Sequence, residues 1–356
     1  MEFRKTERSL PGADALLRGL TTASAVLILV LLGLLLIVLI SAALPAMREF
    51  GVGFITGTEW RPNTLERPLR DAAGKIVFED GEAVIETIPP VFGALPTIWG
   101  TAVSSAIALL VAVPFSFGAA MFLVRLAPRW LVAPVSFLVE FLAAIPSIAY
   151  GIWGLFVLAP FLQSVVEPAI ANVLVRIPVL KYLVLEQVGT DPTTGEPTMV
   201  MRALTGRDML CGGLILAIMI IPIITAIARD VLNSVPRAQI EGTQALGATW
   251  WQSCREMLLY SRSALFGAVM LGLARAAGET MAVTMVIGNA NQISLSPFEP
   301  AQTMASLLAN EFAEAKDIHV SALAAVALIL LIMSLAFNII ARYLVVGKDS
   351  RGAAAH

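Results

Sequence analysis

The sequence predicts an all-α integral membrane protein with six transmembrane helices, on three observations. Of 356 residues, 58% are hydrophobic and only 14% are charged, where soluble domains carry about 25% charged residues. Mean hydropathy is +0.82, an apolar surplus that must face lipid. The apolar residues also gather into six stretches of the ~20 residues that a spanning helix needs: Leu20–Leu44, Leu95–Val124, Leu131–Leu158, Met209–Ala228, Ser263–Ile287 and Val320–Val346. The same composition excludes other classes. Two histidines and two cysteines cannot build a zinc cluster or a disulfide framework, and a formal charge of −2 offers no basic field for nucleic acid.

The first stretch follows Arg4, Lys5, Arg8 and Arg18, as a secretory leader would. Its apolar run is about twice the 7–15 residues of a leader core, so residues 1–44 read as a cytoplasmic N-terminus and a retained anchor helix. Residues 45–94 form an extracytoplasmic loop. Within it KIVFEDGEAVIE (75–86) places Asp80-Gly81 between two β-prone runs, a two-residue hairpin signal because a type I′ turn needs positive φ at both central positions. Phe78 should then face Ala83, with Val77 opposite Val84 and Ile76 opposite Ile85. A second turn-rich outer segment is VGTDPTTGEPTM (188–199). These segments are either lids over helix ends or a docking surface for an outside protein.

Residues 95–346 form the transmembrane domain proper, and residues 347–356 a cytoplasmic tail. Pro146 should kink the third stretch by removing a helix hydrogen bond. Glu140 then lies about 13 Å in from its cytoplasmic end at 1.5 Å per residue, either as a hydrogen-bonded carboxyl at a kink or as a second polar site. With the N-terminus inside, the inner segments hold 13 Lys/Arg and the outer ones 10. That bias puts both termini in the cytoplasm.

Two segments carry chemistry. The cytoplasmic loop 230–262 has Ile240, Leu246, Trp250, Trp251 and Leu258 at roughly helical spacing, interrupted by Gly247. An interior glycine costs about 1 kcal/mol relative to alanine, so Gly247 marks a turn between two short helices lying along the membrane. By periodicity this is an amphipathic interfacial segment of no special function or a docking element. In the fifth stretch, Arg275 falls at mid-membrane, where a cation costs roughly 2.5–3.5 kcal/mol on insertion scales. Glu279 follows four residues later and in a continuous helix would share its side. The pair is either a structural ion pair or the polar lining of a path. Gly272, Ala276 and Gly278 beside it are small, as residues at close helix contacts in lipid are, and suit an interface between two subunits.

Glu241 followed by Leu246-Gly247-Ala248 resembles the conserved cytoplasmic loop of ABC importer permeases, with Gly242-Thr243 in place of that pattern's two alanines and Leu259-Tyr260 in place of its closing Leu-Pro. RAAGETMAVTMVIGN (275–289) and LAAIPSIAYG (142–151) resemble the PstC family, one of the two membrane-subunit families of phosphate-specific ABC importers, and the likeness runs over most of Leu95–Arg342. The resemblance implies a type I ABC importer permease core of the MetI-like kind in helices 2–6, with an extra N-terminal anchor helix, in the cell inner membrane. It implies that Arg275 and Glu279 line the phosphate path, and that Glu241, Leu246, Gly247 and Ala248 couple to an ATPase. It further implies a PstA-type sister permease, a PstB-type ATPase dimer that binds ATP and Mg, and a PstS-type phosphate-binding protein as partners. No cofactor is expected on this chain, since GxxxxGK[ST] and HExxH are both absent from the sequence; it is expected to be a transporter subunit and not an enzyme. A permease for another oxyanion and an ion-coupled secondary anion transporter are the alternatives.

Overall fold

The computed structural model describes residues 11–69, 76, 78–79, 82–83, 85–190 and 197–353. Among the described residues five helices are long and apolar enough to cross a membrane, or six if one bent pair is counted as a span. Helix α1 (Pro11–Phe50) opens the chain, and its most apolar window buries nothing against the protein. Only its end packs. Ala43 and Ala46 lie against the last helix, and Ala46, next to Pro45, donates its N–H to Ser321 Oγ at 2.9 Å.

The outer loop is a long ribbon. Strand β1 (Trp60–Arg61) pairs with β6 (Val91–Phe92), β2 (Leu65–Pro68) with β5 (Ile85–Ile88), and β3 (Phe78–Glu79) with β4 (Glu82–Ala83), all antiparallel. Phe78 is opposite Ala83 as the hairpin pattern requires; Val77, Asp80, Gly81 and Val84 lie outside the described residues. Ile85 is instead paired with Pro68, in the β2–β5 section. At the ribbon's base Trp60 and Phe92 stack edge-to-face at 5.0 Å, and Trp60 Nε1 donates to Glu311 at 2.8 Å. His319 shares that carboxylate at 2.8 Å. The second turn-rich segment is likewise paired, β7 (Leu185–Thr190) against β8 (Pro197–Met201), with 191–196 outside the described residues.

Helix α2 (Leu95–Leu126) and α5 (Met209–Asn233) form the centre of the bundle. Ala108 and Ala112 sit against Leu216, Ile220 and Ile224, all buried. Between them lie α3 (Arg129–Ala144) and α4 (Ser147–Leu174), and here the expected third span is corrected. Pro146 does not merely kink a helix over Leu131–Leu158. It drives Ile145 to extended backbone (ψ 130°), as the residue before proline favours, so α3 ends at Ala144. The span that follows runs on to Leu174, well inside the segment expected outside. Glu167 and Pro168, which fall in the segment expected outside, are helical, and Glu167 is fully buried.

After α5, helices α6 (Arg237–Ala245) and α7 (Trp250–Tyr260) meet at Gly247, whose φ of +84° supplies the expected turn at little cost to glycine alone. Thr249 begins α7 with a capping box to Gln252. α7 then bends by 68° into α8 (Arg262–Ala277). The expected single span Ser263–Ile287 is also corrected: α8 ends at Ala277, and a short α9 (Met281–Val286) starts afresh after Gly278-Glu279-Thr280. A non-helical segment then crosses the end of α2, where Trp99 Nε1 donates to Ser294 O at 2.6 Å and Met304 N donates to Thr101 Oγ1 at 2.9 Å. Helices α10 (Met304–Glu311) and α11 (Ile318–Ala353) close the chain.

Candidate functional site

The break between α8 and α9 is the first candidate. Gly278 caps α8 with φ −93° and ψ 1°, and Glu279 N reaches back to Ala276 O at 3.3 Å. Arg275 therefore stands in the last helical turn, where a cation is favoured by the helix dipole, while Glu279 lies beyond it. The two do not share a side as a continuous helix would have placed them. Arg275 is exposed and Glu279 is only 9% exposed. Among the described residues no ion pair joins them, and neither pairs with another group.

Burial along α8 divides the small residues into two faces. Gly272 and Ala276 point inward, and a Cβ on Gly272 would come within 2.7 Å of Ile224 on α5. Their smallness thus serves packing inside this chain, against α5. Gly267, Leu271, Ala274, Arg275 and Gly278 form the opposite, exposed face. Gly278 alone of the three expected packing residues lies there. This free face carries one unpaired cation amid small residues.

The other side of the break is held rigidly. A Cβ on Gly151 of α4 would lie 2.8 Å from Met285 Sδ and 3.0 Å from Ala282 Cα of α9, and one on Gly154 would meet Ile215 and Val286. The two stretches 142–151 and 275–289, 124 residues apart at their nearest ends, therefore touch. Thr284 Oγ1 donates to Thr280 O at 2.7 Å, and Asn289 Nδ2 donates to Thr284 O at 2.7 Å.

The second candidate is the α6–α7 turn. Leu246 is 91% exposed, Glu241 and Gly247 are exposed, and Ala248 is half-buried. Behind them Cys254 and Met257 are buried against Ala120, Leu232 and Leu265, which fixes the turn to the ends of α2, α5 and α8. Leu246 thus stands out on a packed support beside the exposed Trp250 and Trp251, and the three make an exposed apolar patch.

Two features escaped the sequence. Arg229, near the end of α5, bridges Glu140 of α3 at 3.3 Å and Asp230 at 3.0 Å. Glu140 therefore stands level with Arg229 near the end of α5, and its side chain is 59% exposed. Asp208 and Glu167 are both fully buried and lie against each other. Asp208 caps α5 by accepting from Cys211 N at 2.8 Å, and burial first, then the neighbouring Glu167, raises its pKa to about 7. No sequence signal joins either pair, since their partners lie on different helices.

Residues 112–347 match the family model described as binding-protein-dependent transport system inner membrane component. The chain is 42% identical over 348 residues to the phosphate transport system permease protein PstC of Mesorhizobium japonicum, covering 97% of this chain and 94% of that protein. It is 37% identical over 333 residues to the same-named protein of Haemophilus influenzae, covering 93% of each. Among solved structures it is similar to a chain of the inward-facing MetNI methionine ABC transporter, at 18% identity and a TM-score of 0.48, covering 72% of this chain and 94% of that one.

Proposed function

This chain belongs to the family of binding-protein-dependent transport system inner membrane components, and from that premise we infer how its residues serve transport. It is the transmembrane, non-catalytic permease subunit of an ATP-driven phosphate importer, multi-pass in the inner membrane, working with an ATPase and a binding protein. The observation that carries the residue-level reading is the unpaired Arg275 on the exposed face at the α8–α9 break. An arginine that finds no anion among the described residues must meet one elsewhere, and leaving it unmet in lipid would cost several kcal/mol.

We propose that this face lines the phosphate path against a PstA-type sister permease. The guanidinium offers planar paired donors that match two phosphate oxygens. One arginine attracts without trapping, which transit requires. Glu279, shielded just past Gly278, supplies a second state: a change of bend at the break brings its carboxylate to Arg275 and releases the anion. Leu246, with Glu241, Gly247 and Ala248, docks on a PstB-type ATPase dimer, which binds ATP and Mg, and the outer ribbon faces a PstS-type phosphate-binding protein. Both termini are then cytoplasmic.

The test is the purified complex in proteoliposomes, assayed for uptake and for anion-stimulated ATP hydrolysis. Phosphate should stimulate both, and Arg275→Gln should cut uptake at least about tenfold with complex yield unchanged, the loss of one charge-assisted contact at about 1.5–3 kcal/mol. Full uptake by Arg275→Gln removes the path role. Uptake driven by an ion gradient without ATP removes the coupling role.

A further inference from the structure

Arg229 and Glu140 stand outside both candidate sites yet lie between them. Arg229 is mostly shielded, at 17% exposure, and its Nη2 lies 3.3 Å from Glu140 Oε1 and 3.0 Å from Asp230 Oδ1. It sits four residues before Asn233, where α5 ends and the chain turns into the exposed α6–α7 elbow through Ser234-Val235-Pro236. A displacement of that elbow acts on the end of α5, as it does on α8, into which α7 bends, and on the end of α2, against which α7 packs. At the end of α5 the bridge joins that helix to α3.

From Glu140 the structure continues toward the other site. α3 ends four residues later at Ala144, and Ile145-Pro146 forms an extended joint before α4. The joint is short and is spanned by one side-chain bond, Tyr150 Oη donating to Leu142 O at 2.9 Å. One residue past Tyr150 is Gly151, which presses on Met285 and Ala282 of α9. α9 begins two residues after Glu279. A contiguous chain of contacts thus runs from the elbow, through an ion pair and a proline joint, to the break that carries Arg275 and Glu279. Rigid helices linked at a joint are how hinge motions are carried.

We propose that Arg229 and Glu140 are positioning residues that couple the cytoplasmic elbow to the α8–α9 break, with Pro146 as the joint between them. The proposal rests on the transport reading above. Its energetics fit a coupling device better than a structural one. The Glu140 side chain is 59% uncovered by this chain, so little of the chain's own packing rests on it. Asp230 remains beside Arg229 when Glu140 is removed, so the shielded guanidinium keeps a counter-charge and the fold survives. What is lost is the link between helices.

The experiment uses the whole complex in proteoliposomes and reads phosphate taken up per ATP hydrolysed, together with complex yield. Glu140→Gln should leave yield and binding-protein-stimulated hydrolysis near wild type while uptake per ATP falls at least about fivefold, the scale of ordinary site-to-site coupling. The reversed pair Glu140→Arg/Arg229→Glu, which keeps opposite charges across α3 and α5, should recover most of that ratio. Pro146→Ala, which lets α3 and α4 join, should uncouple in the same way without touching either charge. An unchanged uptake-to-ATP ratio in both Glu140→Gln and Pro146→Ala overturns the proposal. So does a reversed pair that assembles fully but stays uncoupled. The wild-type complex judges the underlying reading separately: if phosphate uptake there does not need ATP, the transport reading falls and the coupling proposal falls with it.

Discussion

Gly151→Ala tests how much of the site depends on one close approach. The added Cβ would lie 3.0 Å from Ala282 Cα, which is backbone and cannot turn aside, and 2.8 Å from Met285 Sδ, the flexible part of a side chain that can. Ordinary contact is about 3.4–4 Å, so α4 and α9 must separate by about half an ångström, and overpacking of this kind costs about 1–3 kcal/mol. Alanine returns about 1 kcal/mol through helix propensity. The net loss is then about 0–2 kcal/mol for Gly151→Ala, and larger for Gly151→Leu, whose side chain has no space at all. Because the displaced α9 begins two residues past Glu279, the displacement falls on the break itself. Uptake should therefore drop more than stability, by about fivefold, the scale of ordinary site-to-site coupling. Heat resistance of the detergent-purified complex and uptake in proteoliposomes measure the two effects. Gly33→Ala is the control, since nothing lies within 4 Å of Gly33 in α1. Wild-type uptake and heat resistance in Gly151→Leu would refute the close packing of α4 on α9.

Gly247→Arg forces a non-glycine residue to φ +84°, a strain of about 1–2 kcal/mol, and adds bulk beside Leu246; ATPase co-purification should fall while membrane insertion persists. Cysteines at Gly81 and Gln244, treated with an impermeant thiol reagent on intact cells, should label only at Gly81, and the opposite pattern would reverse the topology. The raised pKa of Asp208, about 7 against an ordinary 3.8, means that the folded chain holds a proton the unfolded chain has released. Stability should therefore decline as pH climbs from about 4 to about 7 and level off above that. Asp208→Asn, which keeps the helix cap but cannot titrate, should flatten the decline in a thermal-melting series.

Some of this protein was decided along the chain. Runs such as Leu95–Leu126, Met209–Asn233 and Ile318–Ile339 are continuous, so their excess of apolar groups over charges is enough to specify a span whatever surrounds them. The turn at Gly247 and the Phe78–Ala83 pairing are local too, fixed by backbone preferences within a few residues. Motif likeness pointed to residues 275–289 and 142–151 but not to their contact. Where α4 ends, where α8 breaks and which small residues face inward were settled only by tertiary packing. Hydropathy counts apolar atoms without knowing whether lipid or protein covers them: Glu167, in a segment that reads as loop, is helical and fully buried. Likewise Gly272 and Gly278 read as one seam until α5 takes the first and leaves the second free. The Glu140–Arg229 bridge spans 89 residues, and charge at that separation has no signature in a periodicity. It exists because Pro146 ends α3 and α5 happens to finish beside it, a coincidence of two helix ends that only the folded chain brings about.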